Sequence, residues 1–346
     1  MDFTQLRTLL RPFFAPSSVQ DERLYFSDPQ YRAVPFDEKN FHPLPSDKSA
    51  SAVAFVDGGQ CELLKSSNFS LQCIRACAIV YDKGKRVHFE RNEFYVLISV
   101  TPKNGQLKYE VSLLDDPLLL GGPFYFDLEE AALRQGVYKV PVSRIGDALR
   151  RFAEIKMAEK MAGKLASGDV LILDGDLRSV LEQERVLFEK LFTGAGEKGI
   201  IVGGLCKTST LLTDKGNSWS GFLRKKSAAG MWYYYPSVRI TNPSHPVEMY
   251  FLKLSPFSSH IFRFEIHREN NPSLSSVLSL LAVHSGDPVF PGYPYGMIEA
   301  DQWARISRQE EMSLKTQLRA YLGKEEAFAE EAAHDEDAHS ILDAIR

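Results

Sequence analysis

The chain has 346 residues, of which 44% are hydrophobic and 25% are charged, and its formal net charge is −4. This composition is that of an ordinary globular protein. The acidic balance argues against a protein coated in nucleic acid, but it is compatible with local basic patches beside an acidic site. No signal peptide is evident, and no stretch approaches the length of a transmembrane helix. We therefore expect a soluble, cytoplasmic protein with no membrane association.

The cysteine content gives a second indication of the compartment. Cys61, Cys73, Cys77 and Cys206 are too few for a disulfide framework in a chain of this length, which favours a reducing environment. Cys73 and Cys77 can be interpreted as half of a zinc site. Because no second pair of ligands accompanies them at a suitable spacing, buried thiols are the favoured interpretation.

The N-terminal region is expected to lie outside the main domain. Residues 1–14 predict an amphipathic helix, because the apolar side chains fall largely on one face: Phe3, Leu6, Leu9, Leu10, Phe13 and Phe14. This face is too small to fold alone, so a partner, the rest of the chain or a second protomer must cover it. Residues 15–51 are rich in Pro, Ser and Asp and predict an extended arm.

From Val53 onward the pattern predicts a mixed α/β core. A hairpin signal at residues 81–86 joins two β-rich runs, so the first three strands are expected to be antiparallel. Residues 102–126 are predicted to be irregular, 214–236 to form a mobile insert, and the end from Lys324 to be an acidic, Ala-rich tail. The predicted strands begin at residues 53, 70, 86, 170, 200, 247 and 260, and the predicted helices cover 141–166, 177–192, 272–283 and 297–307.

Two short apolar runs end in Asp-Gly, at Asp57-Gly58 and at Asp174-Gly175. A short apolar run bounded by a turn predicts a buried strand. A carboxylate at its end is costly to bury unless it is paired or binds a metal. Two such strand ends can meet and share a divalent cation. The alternative is a turn in which each Asp bonds local backbone amides, and for either Asp alone the turn is favoured.

Hydrolysis of a phosphodiester by two metal ions requires several carboxylates that converge, and Mg²⁺ and Mn²⁺ prefer such oxygen ligands. Glu154 on the helix before Asp174 is one candidate, and Glu159 is another. Asp301 lies early in a late helix. Taken singly, Glu154 and Asp301 are more simply explained as solvated residues, and Tyr293 as a packed aromatic.

The order of these motifs resembles the NurA nuclease family. The resemblance extends from about residue 52 to residue 307 and depends on five segments in sequence, at 55–59, 150–154, 171–177, 204–209 and 292–301. No single segment is very specific. Their order and the long last segment, Gly-Tyr-Pro-Tyr-Gly-Met-Ile-Glu-Ala-Asp, carry the resemblance.

The resemblance implies an RNase H-like mixed sheet core with flanking helices, a homodimer and manganese-dependent cleavage of DNA. Magnesium is the alternative ion. It also implies 5′-to-3′ exonuclease activity, endonuclease activity on single strands, and a HerA-like hexameric ATPase as the partner in DNA end resection. The implied organisation is an N-terminal helix and arm over residues 1–51, a nuclease domain over 52–310 and a helical, acidic tail over 311–346.

Site residues follow from the resemblance position by position. Asp57 and Asp174 match the metal-binding aspartates, Glu154 matches the helical glutamate with Glu159 still open, and Tyr293 matches the active-site tyrosine. Asp301 falls where several relatives carry His, and it can still bind metal through oxygen. A second departure is Asp176, where the family often has Ser. Its carboxylate either crowds the site or faces away.

The basic and aromatic residues have less specific interpretations. Lys207 follows a strand, where its cation can contact a phosphate or steady the leaving group, but an ordinary surface lysine is the simpler alternative. Single-stranded DNA can bind by charge and stacking to a set comprising Arg224, Lys225, Lys226 and residues 232–235. A core strand or a dimer contact explains the aromatic run equally well. His260, His267 and His284 lack a ligand spacing and are expected in core or surface positions.

Three functions remain in competition. The first is a metal-dependent nuclease that processes DNA ends with a HerA-like motor. The second is a non-catalytic nucleic-acid-binding or assembly subunit, which gains nothing from carboxylates that repel phosphate. The third is an RNA-directed nuclease of the same fold, because the choice between DNA and RNA depends on contacts near the 2′-hydroxyl.

Overall fold

The computed structural model describes residues 3–14, 22–45, 51–66, 68–134, 139–269 and 274–323. Its helices are α1 (Phe3–Phe14), α2 (Val142–Ala162), α3 (Glu182–Lys198), α4 (Trp219–Lys226), α5 (Leu274–His284), α6 (Tyr295–Ala304) and α7 (Arg308–Leu322). Its strands are β1 (Tyr31–Ala33), β2 (Phe41–Pro43), β3 (Val53–Lys65), β4 (Phe69–Asp82), β5 (Lys85–Lys103), β6 (Gln106–Leu114), β7 (Phe124–Asp127), β8 (Val170–Asp174), β9 (Ile201–Cys206), β10 (Trp232–Tyr234), β11 (Val238–Ile240), β12 (Val247–Lys253) and β13 (Phe262–His267).

An eleven-stranded mixed sheet organises the chain, in the order β2-β10-β12-β13-β9-β8-β3-β4-β5-β6-β7. At its centre, β3, β4 and β5 form an antiparallel meander, while β8 pairs with β3 and β9 with β8 in parallel. This centre, with helices packed on the sheet, is the RNase H-like arrangement, so the predicted fold class is confirmed. A separate two-stranded sheet joins β1 to β11.

Both faces of the central strands are buried. Ala54 and Val56 belong to a core that includes side chains of α2 and α3, whereas Val53 and Phe55 belong to a core that includes side chains of α5 and α6. Alternate side chains of a strand point to opposite faces, so covering both faces requires a continuous apolar run. This explains the apolar runs before Asp57 and Asp174.

Several predictions for individual segments are wrong. Strand β3 does not end at Asp57-Gly58, because its backbone continues to pair with β4 as far as Lys65. Residues 102–126 are not irregular. They contain β6 and β7, and the β5–β6 hairpin turns at Asn104 and Gly105, which both have positive φ. Asn-Gly is the pair that such a two-residue turn favours, so the signal was present in the sequence.

Residues 214–236 are part of the sheet rather than a mobile insert. Strand β10 lies between β2 and β12, and the side chains of Trp219 and Tyr234 are fully buried. The predicted N-terminal arm likewise joins the sheets, because β1 pairs with β11 and β2 with β10. Residues 15–21 and 46–50 of that arm lie outside the described residues.

The C-terminal helix α7 packs on the sheet through Leu314 and Leu318, against Cys61 and Cys73. The expected domain boundary after residue 310 therefore falls inside a helix. The acidic tail from Lys324 lies outside the described residues. No helix of the described part of the chain is both long and apolar enough to cross a membrane.

Two glycines allow α6 to lie directly against β3. A Cβ atom at Gly59 would stand 2.1 Å from the backbone oxygen of Ala304, and one at Gly296 would stand 2.1 Å from the ring of Phe55. Real Cβ atoms do not approach other atoms this closely. The absence of side chains at these positions therefore sets the distance between β3 and α6.

We predict that Gly59→Ala destabilises the protein by about 1–3 kcal/mol, because a backbone oxygen cannot move aside as a side chain can. Urea unfolding measures the effect. Gly194→Ala is the matched control, since Gly194 lies within α3 and a methyl group there would meet no other part of the fold within 4 Å. This change should stabilise the protein by about 0.5–1 kcal/mol. Equal midpoints for the two variants would contradict the packing argument.

Candidate active site

The sheet brings two of the predicted aspartates side by side. Strands β3 and β8 run parallel with Val56 opposite Leu173, so Asp57 and Asp174 follow at adjacent positions on neighbouring strands. Strand β9 lies on the other side of β8, with Asp174 opposite Leu205, and Lys207 comes two residues later. The parallel pairing of these three strands thus places the side chains next to one another, at the point where β8 and β9 end and β3 continues.

Lys207 is the point on which three carboxylates converge. Its ammonium lies 3.2 Å from Asp57, 3.1 Å from Asp174 and 2.7 Å from Asp301, which α6 supplies. The second carboxylate oxygen of Asp57 accepts a hydrogen bond of 2.7 Å from the Gly58 amide. The structure therefore brings together four of the predicted site residues from four different elements.

Two aspartates of this cluster, Asp57 and Asp174, have pKa values above the ordinary range. Burial, followed by repulsion from Asp174 and Glu154, raises the pKa of Asp57 to about 7. Burial also raises the pKa of Asp174 against the attraction of Lys207. Burial alone would lower the pKa of Lys207, but the carboxylates of Asp57 and Asp174 raise it, so the amine stays charged. One ammonium faces three carboxylates, and the cluster retains an excess of negative charge.

Glu154 reaches the cluster from α2, on the opposite face of β3. It lies against Gly58, where a Cβ would stand 2.6 Å from its Oε1, so the glycine provides room for the carboxylate. Arg150 donates to Oε1, and Arg151 donates to Oε2 at 3.2 Å. Glu159, the alternative helical residue, instead pairs with Lys156 at 2.8 Å and is partly exposed. The structure thus places Glu154 rather than Glu159 beside the aspartates.

Asp176 faces away from the cluster. Its carboxylate lies 2.9 Å from the guanidinium of Arg263, on β13. Burial would raise the pKa of Asp176, but Arg263 and then Arg151 outweigh it and lower the value. The departure from the family pattern at this position is therefore neutralised by an arginine and does not crowd the site.

A buried polar network behind the site was not predicted from the sequence. Glu265 is fully buried and accepts from the Leu177 amide at 2.9 Å, and it lies 2.9 Å from His245 and 3.4 Å from Arg263. The other ring nitrogen of His245 lies 3.0 Å from the Tyr31 hydroxyl. The sequence feature that could have predicted this network is the alternation of Arg263, Glu265 and His267 with apolar residues in β13. This alternation places three polar side chains on one face of the strand.

Tyr293 lies within the core beside the carboxylates. Its ring packs against Phe262 and Phe290, and its buried hydroxyl has no hydrogen-bond partner among the described residues. Burial, with repulsion from Asp174 and Asp57, raises the pKa of Tyr293, so the group is a protonated phenol at neutral pH. It can donate a hydrogen bond but cannot act as a base.

Other predicted residues lie elsewhere. Trp232 and Tyr234 are buried in the core, so the aromatic run is a core strand and does not offer these two rings for stacking on DNA. Lys226 at the end of α4 lies over the rings of Phe36 and Phe222. Among the histidines, His267 stacks on Phe192, His284 packs against Phe55 and Tyr81, and His260 packs against Phe262 and Phe290.

The donor set fits a divalent cation that prefers oxygen ligands. Asp57, Asp174, Asp301 and Glu154 supply only carboxylate oxygens, and three of them share a single lysine. Within the described ranges, no three Asp, Glu, His or Cys side chains are grouped closely enough to form a preformed metal site. The fit therefore depends on the excess negative charge and the chemistry of the donors.

We predict that Lys207→Gln lowers the free energy of unfolding by about 1–3 kcal/mol in chelator at neutral pH, because the buried carboxylates lose their shared counter-charge. Urea unfolding measures it. Lys190→Gln on α3, where the lysine is exposed, is the control and should stay within about 0.5 kcal/mol. If both variants unfold at the same midpoint as the wild type, Lys207 does not stabilise the cluster.

Comparison with known proteins identifies the family. The NurA domain profile matches residues 51–306. Among solved structures, the chain is similar to the NurA nuclease from Sulfolobus solfataricus, with a TM-score of 0.53, 10% identity, and 93% of each chain covered. It is also similar to Ciona intestinalis endonuclease V in complex with DNA, with a TM-score of 0.38, 12% identity, and 80% of this chain and 94% of that chain covered. No curated protein matches the sequence.

The profile covers more than half of the chain and contains Asp57, Glu154, Asp174, Lys207, Tyr293 and Asp301. At 10% identity, the Sulfolobus structure shows that the fold is shared. The family match and the RNase H-like sheet agree with the resemblance seen in the sequence. The chain belongs to the NurA family and is a metal-dependent nuclease, an enzyme that hydrolyses phosphodiester bonds.

Proposed function

We propose that this nuclease cleaves DNA at its ends as a 5′-to-3′ exonuclease and cuts single strands as an endonuclease. The observation that supports a catalytic rather than a purely binding role is the convergence of Asp57, Asp174 and Asp301 on Lys207. A protein that only binds nucleic acid gains nothing from buried carboxylates, because they repel phosphate and are costly to bury.

In this proposal Asp57, Glu154, Asp174 and Asp301 hold manganese, or magnesium in its place. Such an ion activates water and offsets the negative charge that develops on the phosphate. The four side chains contribute oxygen donors from β3, from β8, from α6 and, beside Gly58, from α2. Repulsion from Asp174 and Glu154 contributes to the raised pKa of Asp57, and a bound cation relieves this repulsion.

Lys207 and Tyr293 act as hydrogen-bond donors. Lys207 is about one-third exposed and stays charged, so its ammonium can turn to a phosphate oxygen or to the leaving group. Tyr293 is a protonated phenol whose buried hydroxyl has no partner among the described residues, and in this proposal it donates a hydrogen bond to an oxygen of the substrate. Neither group accepts a proton at neutral pH, so both roles are electrostatic.

The proposed partners are DNA, a HerA-like hexameric ATPase and a second copy of the chain, in the cytoplasm. Family membership supports the motor, and the four free cysteines agree with a reducing compartment. Helix α1 is the proposed contact with the motor, because Phe3 and Leu9 are 72% and 70% exposed. The proposed organisation keeps α1 and the acidic tail as interaction elements around the nuclease domain, whereas the arm contributes β1 and β2 to the sheets.

The decisive assay uses labelled DNA and RNA, single- and double-stranded, with manganese, magnesium or chelator. We expect cleavage of DNA with either metal and none in chelator. Preferential cleavage of RNA would favour the RNA-directed alternative. Binding without cleavage under every condition would favour a non-catalytic subunit.

We predict that Asp57→Asn abolishes cleavage, because it removes a metal-binding oxygen charge, and that it does not lower stability in chelator. The variant removes one buried negative charge from a cluster of like charges, so its unfolding midpoint should equal or exceed that of the wild type. Glu159→Gln is the control and should retain activity, since Glu159 pairs with Lys156 outside the cluster. Wild-type activity in Asp57→Asn would overturn the metal mechanism.

Asp301 falls where several relatives carry His, and this difference generates another prediction. Asp301→Ala should lose most activity, whereas Asp301→His should remain active and shift its preference from magnesium toward manganese, because imidazole suits softer ions. Cleavage rates across a magnesium and manganese series measure this. Asp301 is 45% exposed, so a role limited to solvation or helix capping is the competing view. Near wild-type rates in Asp301→Ala would support that view and remove Asp301 from the site.

A further inference from the structure

A second basic side chain, that of Arg150, lies beside the carboxylates, on the side away from Lys207. Asp57 directs one oxygen to the Gly58 amide and the other to Lys207. Next to Gly58, Arg150 pairs with Glu154 and its Nη1 lies 3.5 Å from the Gly58 carbonyl oxygen. The acidic cluster is therefore flanked by two basic side chains, one from the loop after β9 and one from α2.

Arg150 and Arg151, which are adjacent on α2, differ in the number of hydrogen bonds that they donate. Arg151 donates to Glu154, to the carbonyl oxygens of Asp174 and Asp176, and to Glu184, and it is 15% exposed. Arg150 is 32% exposed, and among the described residues its Nε and Nη2 have no acceptor. Arg151 is thus fixed in the core of the protein, whereas Arg150 presents free donors toward solvent at the rim of the site.

We propose that Arg150 binds a phosphate of the nucleic acid strand next to the bond that is cleaved. This inference rests on the proposed function and names a substrate-binding residue within it. A phosphodiester that approaches Asp57, Asp174 and Asp301 is repelled unless fixed cations offset the carboxylates. The guanidinium is suited to this task, because its planar fork donates two parallel hydrogen bonds to phosphate. Lys207 and Arg150 then hold the strand from the two sides of Asp57.

The competing explanation is that Arg150 only neutralises Glu154. The two explanations differ in what Arg150 contributes to binding. A residue that contacts phosphate releases counterions, so its removal lowers both the affinity and the salt dependence of binding. A residue that only neutralises Glu154 changes the stability of the fold but leaves the salt dependence unchanged.

The experiment measures binding of a fluorescein-labelled single-stranded DNA, and of the RNA of the same sequence, by anisotropy. The parent is Asp57→Asn in chelator, which prevents cleavage, and salt is varied from about 50 to about 200 mM. We expect Arg150→Gln to weaken binding on the order of tenfold at low salt and to reduce the slope of log affinity against log salt by about 0.7. Arg150→Lys should keep the slope and recover part of the affinity, since it retains the charge but not the fork.

Arg144→Gln is the matched control, because Arg144 is an exposed arginine on the same helix that pairs with Asp147 at 3.4 Å. It should leave affinity and slope unchanged. An unchanged slope and affinity in folded Arg150→Gln, or an equal loss in Arg144→Gln, would overturn the role of Arg150. Should Arg150→Gln fail to fold, Arg150→Lys decides: affinity equal to the parent would overturn the proposal. A parent that binds neither oligonucleotide would instead overturn the proposed function.

Discussion

The candidate active site depends on the contact of one ammonium with three carboxylates. Asp57, Asp174 and Asp301 come from β3, β8 and α6, and Lys207 comes from the loop after β9. The carboxylate of Asp57 is costly to bury by itself, and the three carboxylates repel one another. The surrounding elements must therefore be rigid enough to hold the charges at fixed distances. The two-sided packing of the central strands supplies that rigidity.

Glycines in β3 allow α2 and α6 to pack close to the strand that carries Asp57. Gly58 leaves room for Glu154 on one face of β3, and Gly59 leaves room for the end of α6. Two consecutive glycines after Asp57 thus serve opposite faces of the same strand. The Asp-Gly-Gly sequence suggested a turn. In the structure, the glycines instead let two helices approach an unbroken strand.

The sequence was sufficient to predict that Asp174 and Lys207 lie at or just after the ends of short apolar strands, but not that β3 continues past Asp57. Asp174 and Lys207 follow short apolar strands, and parallel neighbours place such positions together. The contacts of Arg151, Arg263 and Glu265 could not be predicted, because they join residues far apart in the chain through pairings that only the folded sheet creates. The choice of Glu154 over Glu159 is similar, since it depends on which side of α2 faces Gly58.

The ends of the large sheet limit how copies of the protein can associate. One edge is β2, three residues long and closed by Pro43, and the other is β7, four residues long and preceded by Pro123. Short edge strands beside proline offer few free amides to an added strand. A second chain therefore finds little opportunity to extend the sheet by backbone pairing. Any self-association should instead use side chains on the helical or sheet faces, where the sequence can select one orientation.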